Sequence, residues 1–275
     1  MGRIASLFVL SAVGFGWPLP ASMAEAPAEF AQLQLAVAGA ASESGPTPLL
    51  IHFHGNAELA EASFRRSGLD GVLVAINCRG LSSAYRRPFE NPELFDYLLR
   101  HVTNTAGSKT GAASEAAWEP IRLSCFSAGY GAVREVLKRE ANRERIDAVL
   151  AADSIYASIH SVDGQRRVDA TQMAPFLEFA RLAIGGEKRF LVTHSQLPVE
   201  PYASTVETAD YLLAATGLTR KELPALGVKF TPISRASSGG FTVLGYPGAD
   251  GEAHLQHLRE IASLWRMLRE KPPAE

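Results

Sequence analysis

Ile121-Arg122-Leu123-Ser124-Cys125-Phe126-Ser127-Ala128-Gly129-Tyr130-Gly131-Ala132 runs from apolar residues through a serine into a segment opening on small residues. The run reads as a strand, a sharp turn and a helix. A serine at the tip of so tight a turn is forced into strained backbone angles. The residues two before and two after it must be small, or their side chains collide with the flanking strand and helix. Cys125 and Gly129 hold those positions. Glycine is usual at both, so Cys125 is a mild departure, since cysteine is small and buries well. A five-residue pattern of this kind recurs by chance, and its meaning depends on the rest of the chain.

Outward from that turn, short apolar runs alternate with helical periodicity. Strand-like runs cover 48–53, 71–77, 121–126, 146–152, 189–193 and 241–246, and 30–37 alternates like an edge strand. Helical spacing covers 57–67, 90–103, 129–141, 171–184, 204–216 and 253–268. Continuous apolar strands separated by helices predict a mostly parallel sheet covered on both faces, a three-layer α/β/α sandwich. The segment 154–188 has room for one loop and one helix, so no large cap is expected over the sheet. No internal repeat or linker divides 25–270, which is expected to be one domain, followed by a disordered tail at 271–275.

The chain has 275 residues, 47% of them apolar, enough for a full core without metal or disulfide staples. A formal charge of −2 carries no basic stripe, which argues against a nucleic-acid partner. Met1-Gly2-Arg3, the apolar run 4–17 and Ser22-Met23-Ala24 form a leader over 1–24 with a cleavage site before Glu25. The expectation is an exported protein, periplasmic or secreted, with no stable membrane span once the leader is removed. Cys78 and Cys125 each close an apolar run and read as buried small residues rather than a disulfide pair.

In such sheets ligands bind at the carboxyl ends of the strands. Ser127 and Asp153 each follow a strand, and His254 follows the last one near the start of the final helix. The order Ser, Asp, His suits a nucleophilic triad. A hydroxyl needs a histidine to take its proton, and the histidine needs a carboxylate to fix its tautomer. The oxyanion of a tetrahedral intermediate needs N–H donors worth about 3 kcal/mol each. Ala128 at the helix start and Asn56 in His54-Gly55-Asn56-Ala57 are the candidates.

His54 to Ala57, Cys125 to Gly129 and His254 together resemble the α/β-hydrolase superfamily over roughly 48–268. The resemblance implies the α/β-hydrolase fold, with an eight-stranded type of core lacking one or two of the first strands. It also implies a Ser-His-acid hydrolase and selects no substrate. The expectation is an exported serine hydrolase, a carboxylesterase, cleaving an ester or similar acyl bond through an acyl-enzyme. The substrate is a small or polymer-linked acyl compound, and no metal or organic cofactor is needed. A serine peptidase of the same fold and a non-catalytic binding member are the alternatives.

The acid is the most open assignment. Asp153 leads, Glu200 and Asp250 remain, and Glu207 reads as part of a capping box with Ser204. His257 rivals His254 one turn further along the helix. His194, Tyr156 and Tyr130 are expected to line the substrate pocket. His54 is expected to anchor the oxyanion loop, and His52 to face the other side of its strand.

Overall fold

The computed structural model describes residues 8–10, 26–42, 45–107, 118–224, 227 and 229–269. Their strands are β1 (Phe8–Leu10), β2 (Gln34–Gly39), β3 (Thr47–Phe53), β4 (Val72–Asn77), β5 (Trp118–Phe126), β6 (Ile146–Ala152), β7 (Ile159–Val162), β8 (Gln165–Val168), β9 (Arg189–His194), β10 (Lys221–Glu222), β11 (Ser234–Ser238) and β12 (Phe241–Gly245). The helices are α1 (Ala57–Ser67), α2 (Ser82–Phe89), α3 (Leu94–Gly107), α4 (Tyr130–Leu137), α5 (Glu140–Arg145), α6 (Ala170–Ile184), α7 (Thr205–Thr216), α8 (Gly251–Arg259) and α9 (Ile261–Met267).

One sheet runs in the order β1-β2-β4-β3-β5-β6-β9-β12-β11-β10. Its centre, β4 to β12, is parallel, and the flanking strands at both edges are antiparallel. This is the expected three-layer sandwich. The first strands are not missing, however: β1 and β2 both extend the sheet beyond β4. The leader otherwise lies outside the described residues, as does the tail at 271–275.

Strand alternation assigns the two faces. Leu49, Ile51 and Phe53 of β3, with Val149 and Ala151 of β6, pack under the layer holding α2, α3, α4, α6 and α7. Leu50, Ala148, Leu150 and Leu191 pack under α1 and α9, whose Phe64, Ile261, Leu264 and Trp265 complete the second core. His52 points to this second face, where Ser124 Oγ lies 3.0 Å from its Nδ1 and accepts from Trp265 Nε1 at 2.8 Å.

Three local features depart from expectation. The segment 154–188 contains the hairpin β7–β8 as well as α6, turning at Asp163 and Gly164, both at positive φ. The last helix is two, broken at Glu260 (φ −97°, ψ 13°). Helix α2 lies where 78–89 showed no apolar period, with Tyr85 and Phe89 buried and Pro88 in its last turn. Both cysteines are buried and unpaired.

Candidate active site

Phe126, Ala152 and Thr193 are partners across β5, β6 and β9, so these three strands end level on one edge. Ser127 opens a 3-10 turn leading into α4 and has φ +47°. A left-handed non-glycine residue costs roughly 1–2 kcal/mol, so surrounding contacts must hold it. Ser154 Oγ donates to the Ser127 carbonyl at 2.7 Å. Gly129 lets the turn press onto β3, because a Cβ there would sit 2.2 Å from the Phe53 carbonyl oxygen. Cys125 is fully buried, and burial pushes its thiol up to about 12, so it stays protonated.

Asp153 follows β6 at φ +41° and is 1% exposed. Its Oδ1 accepts from Ser195 N at 2.9 Å and Thr205 Oγ1 at 2.6 Å. Its Oδ2 accepts from Ser195 Oγ at 2.7 Å and pairs with His254 Nδ1 at 2.7 Å. Burial raises the pKa of this carboxyl, but the bond from His254, the charge near His257 and the Thr205 and Ser195 donors outweigh it. The result is a pKa of about 2. Thr205 is the first residue of α7, whose Ser204–Glu207 capping box fixes the helix start against the carboxylate.

His254 lies in the first turn of α8, which Asp250 caps by accepting from Ala253 N at 2.8 Å. Its ring stacks on Phe126 at 4.6 Å between centroids. An ionised Asp153 at Nδ1 places the ring proton there and leaves the lone pair on Nε2. Among the described residues no hydrogen bond joins that nitrogen to Ser127 Oγ. Such bonds are often long in a free enzyme and tighten with substrate.

The rival groups have other partners. Glu200 is exposed and pairs with Arg166 at 3.3 Å, and Glu207 serves its capping box and Arg166. His257 is fully buried, with Nδ1 2.9 Å from Thr193 Oγ1 and Phe230 and Tyr246 edge-on to its ring. Burial lowers its pKa to about 4.

Asn56 is the N-cap of α1, its side chain accepting from Leu59 N at 2.8 Å. The side-chain oxygen is therefore committed to the helix. The two residues before Asn56, His54 (φ +73°) and Gly55 (φ +137°), both have positive φ. His54 Nδ1 lies 2.8 Å from the Tyr85 hydroxyl, and Gly55 N donates to Asn77 Oδ1 at 3.1 Å. Ala128 sits in the first turn after β5, where backbone N–H groups lack intrahelical acceptors.

The pocket residues divide. Tyr130 and Tyr156 meet at 5.6 Å between centroids. Burial, then the charge of Asp153 and nearby Tyr130, push the Tyr156 phenol above its ordinary range, and its contact with Ser127 opposes that rise. His194 is turned away from solvent. It is 2% exposed, with Nδ1 2.9 Å from the Ser195 carbonyl and Nε2 3.0 Å from Arg220 Nη2. Alternation along β9 turns it toward the α7 layer, where Arg220 also pairs with Asp210. Burial then lowers its pKa to about 4.

Ser195, Thr205, Asn77 and Tyr85 were not foreseen. Asn77 was within reach, because it ends β4 and obeys the same carboxyl-end rule as Ser127.

No protein-family model matches the chain, and no curated protein matches it. Among solved structures, an uncharacterised protein from Capnocytophaga ochracea DSM 7271 superposes with a TM-score of 0.51 at 9% identity. The match covers 88% of this chain and 62% of that one, so the chain spans less than two-thirds of its length. The fold is that of the α/β hydrolases. Strand order and the serine turn after β5 carry that statement. An acetyl xylan esterase from Aspergillus awamori (TM-score 0.47, 11% identity, 92% of this chain and 99% of that one) is also similar. So is a cold-adapted esterase from an Arctic intertidal metagenomic library (0.44, 12%, 90% and 99%). Neither similarity informs the chemistry of this α/β-hydrolase-fold chain. Among the described residues no group of His, Cys, Asp and Glu is placed to hold a metal, and no helix is long and apolar enough to cross a membrane.

Proposed function

We propose that this chain is a serine ester hydrolase in which Ser127 attacks, His254 carries the proton and Asp153 orients His254. The observation that carries this reading is the 2.7 Å contact between His254 Nδ1 and a carboxylate that is 1% exposed, beside a serine held at positive φ. A carboxylate so supported stays ionised, fixes the histidine tautomer and stabilises the imidazolium.

In the proposed reaction Ser127 Oγ bonds to the acyl carbon as its proton passes to His254 Nε2. The carbonyl oxygen becomes an oxyanion accepting from the N–H groups of Ala128 and Asn56. Collapse breaks the ester C–O bond, and His254 returns the proton to the departing alcohol. Water then attacks the acyl-enzyme with His254 as base, releasing the acid and regenerating Ser127. Tyr130 and Tyr156 form the acyl-side wall. The small β7–β8 hairpin is the one insertion after Asp153, which suits an open cleft and a small or polymer-linked acyl substrate. Export through the 1–24 leader is part of the same proposal and would be read from the mature N-terminus of secreted material.

A fluorophosphonate probe is expected to label the wild type and not Ser127→Ala. Absence of labelling in the folded wild type would overturn the reading. Parallel panels of acyl esters and aminoacyl amides separate an esterase from a peptidase of the same fold.

A further inference from the structure

Behind the carboxylate of Asp153 a second line of hydrogen bonds leads back to a cation. Arg220 stands just before β10, whose Lys221 and Glu222 pair with Arg235 and Ser234 of β11. Its Nη2 lies 3.0 Å from His194 Nε2. A guanidinium offers N–H donors and no acceptor, so the His194 nitrogen must present its lone pair. Burial first, and the Arg220 charge with it, keep the ring neutral against the Ser195 carbonyl and the charge of Asp153. The one ring proton therefore sits on Nδ1 and is donated to the Ser195 carbonyl oxygen at 2.9 Å.

Ser195 is the residue that grips the acid. Its N and Oγ donate to Asp153 Oδ1 and Oδ2 at 2.9 and 2.7 Å. The peptide plane before it is pinned by Tyr246 N, which donates to the His194 carbonyl at 2.8 Å. The plane after it is held by the His194 ring on one side and, on the other, by Gln196 N donating to the Gly248 carbonyl at 2.8 Å. His194, Ser195 and Asp153 are all buried, so a bond lost among them is not replaced by bulk water.

The surroundings are shaped for this ring and this cation. A Cβ on Gly245 would sit 2.9 Å from His194 Cε1. Arg220 is half-buried, its Nη1 pairs with Asp210, and its Nε is buried with no hydrogen-bond partner among the described residues. An unsatisfied buried N–H costs about 1–3 kcal/mol, which a shorter or apolar side chain would avoid. What an arginine supplies here is a donor that never turns acceptor. Had the His194 proton moved to Nε2, two donors would meet at Arg220 and two acceptors at Ser195.

We propose that His194 is a positioning residue for the triad acid and that Arg220 fixes its tautomer. This rests on Asp153 being the acid that orients His254. Without the His194 bond the peptide plane after Ser195 relaxes, the Ser195 N–H and hydroxyl shift with it, and the carboxylate loses its aim at His254 Nδ1. A misplacement of about 1 Å costs on the order of a hundredfold in rate.

Hydrolysis of p-nitrophenyl acetate, normalised to folded protein by circular dichroism, tests this. His194→Leu should lower kcat about twentyfold with KM within about twofold. His194→Asn should restore kcat to within about threefold, because its Nδ2 stands roughly where the histidine Nδ1 does and is always a donor. Nitrogen NMR of the histidine side chains should show the His194 proton on Nδ1 in the wild type. In Arg220→Met it should be shared between both nitrogens, with kcat lowered about threefold. Wild-type kcat in His194→Leu, or His194→Asn as slow as His194→Leu, overturns the positioning role. Should His194→Leu not fold, His194→Gln takes its place, since its amide reaches toward Nε2 and gives Ser195 no donor. A wild-type proton on Nε2, or unchanged tautomer and kcat in Arg220→Met, overturns the part of Arg220. A wild type left unlabelled by fluorophosphonate fails the triad reading instead, whereas a labelled wild type with any of these results fails this inference alone.

Discussion

Asp153→Asn separates a catalytic carboxylate from a structural one. The four contacts on Asp153 constrain how an asparagine can sit. Oδ1 faces the Ser195 backbone N–H, which cannot turn away, and Oδ2 faces Ser195 Oγ and His254 Nδ1. The amide oxygen must therefore take the Oδ1 position, which puts the NH2 against His254. Two donors cannot face each other, so His254 moves its proton to Nε2 and loses the lone pair that should receive the Ser127 proton. A triad with the wrong tautomer loses on the order of 10⁴ in kcat, which is roughly 5 kcal/mol of transition-state stabilisation. Stability falls as well. The drop from 3.8 to about 2 corresponds to roughly 2.5 kcal/mol favouring the ionised form in the fold. Steady-state hydrolysis of a short-chain p-nitrophenyl ester, normalised to folded protein by circular dichroism, measures kcat. Glu200→Gln serves as control, since that carboxylate is exposed and, among the described residues, meets Arg166. An Asp153→Asn enzyme within about tenfold of wild type would refute the assignment, as would a large loss in Glu200→Gln.

Acid should unfold the protein early. His194 and His257 are buried neutral with pKa values near 4, against 6.5 when exposed, so the unfolded chain binds more protons in between. Their stabilisation is complete above pH 6.5 and is lost as pH falls toward 4, on the order of 3 kcal/mol each. The depressed Asp153 adds a further loss only as pH falls from about 4 toward 2. Urea midpoints at pH 7 and pH 5 check this, and equal midpoints would contradict it. Gly129→Ala should cost 2 kcal/mol or more, estimated roughly from overpacking, because its Cβ would meet a backbone oxygen that cannot rotate away. A melting temperature within a degree of wild type would show that β3 yields there. Ser204→Ala removes the side-chain half of the α7 capping box, leaving the backbone N–H of residue 204 on Glu207, and should cost about 1 kcal/mol. Because α7 delivers Thr205 to Asp153, kcat for the same ester should fall with it, and a stability loss with unchanged kcat would separate the two roles.

Which parts were legible follows from periodicity and its limits. Apolar runs predicted the central parallel strands because each is buried on both faces, and a parallel sheet aligns strand ends by register. The carboxyl-end rule therefore named Ser127 and Asp153, whereas Asn77, which obeys the same rule, was passed over in favour of residues with triad chemistry. The same rule is silent on orientation, because emergence at a strand end says nothing about which face a side chain takes. Odd residues of β9 face α8 and α9, so Thr193 meets His257, while the even-numbered His194 turns the other way to Arg220. The Asp163-Gly164 pair was a hairpin signal that was present and unused, whereas α2 carried no apolar period to find. The supports of Asp153 had no pattern at all. A serine one residue past a strand and a threonine at a helix start read as ordinary loop and cap. Only the tertiary approach of β9 and α7 to the end of β6 brings both hydroxyls onto one carboxylate. An acid's identity is thus written in what surrounds it, which explains why Asp153, Glu200 and Asp250 looked alike along the chain and differ so sharply in space.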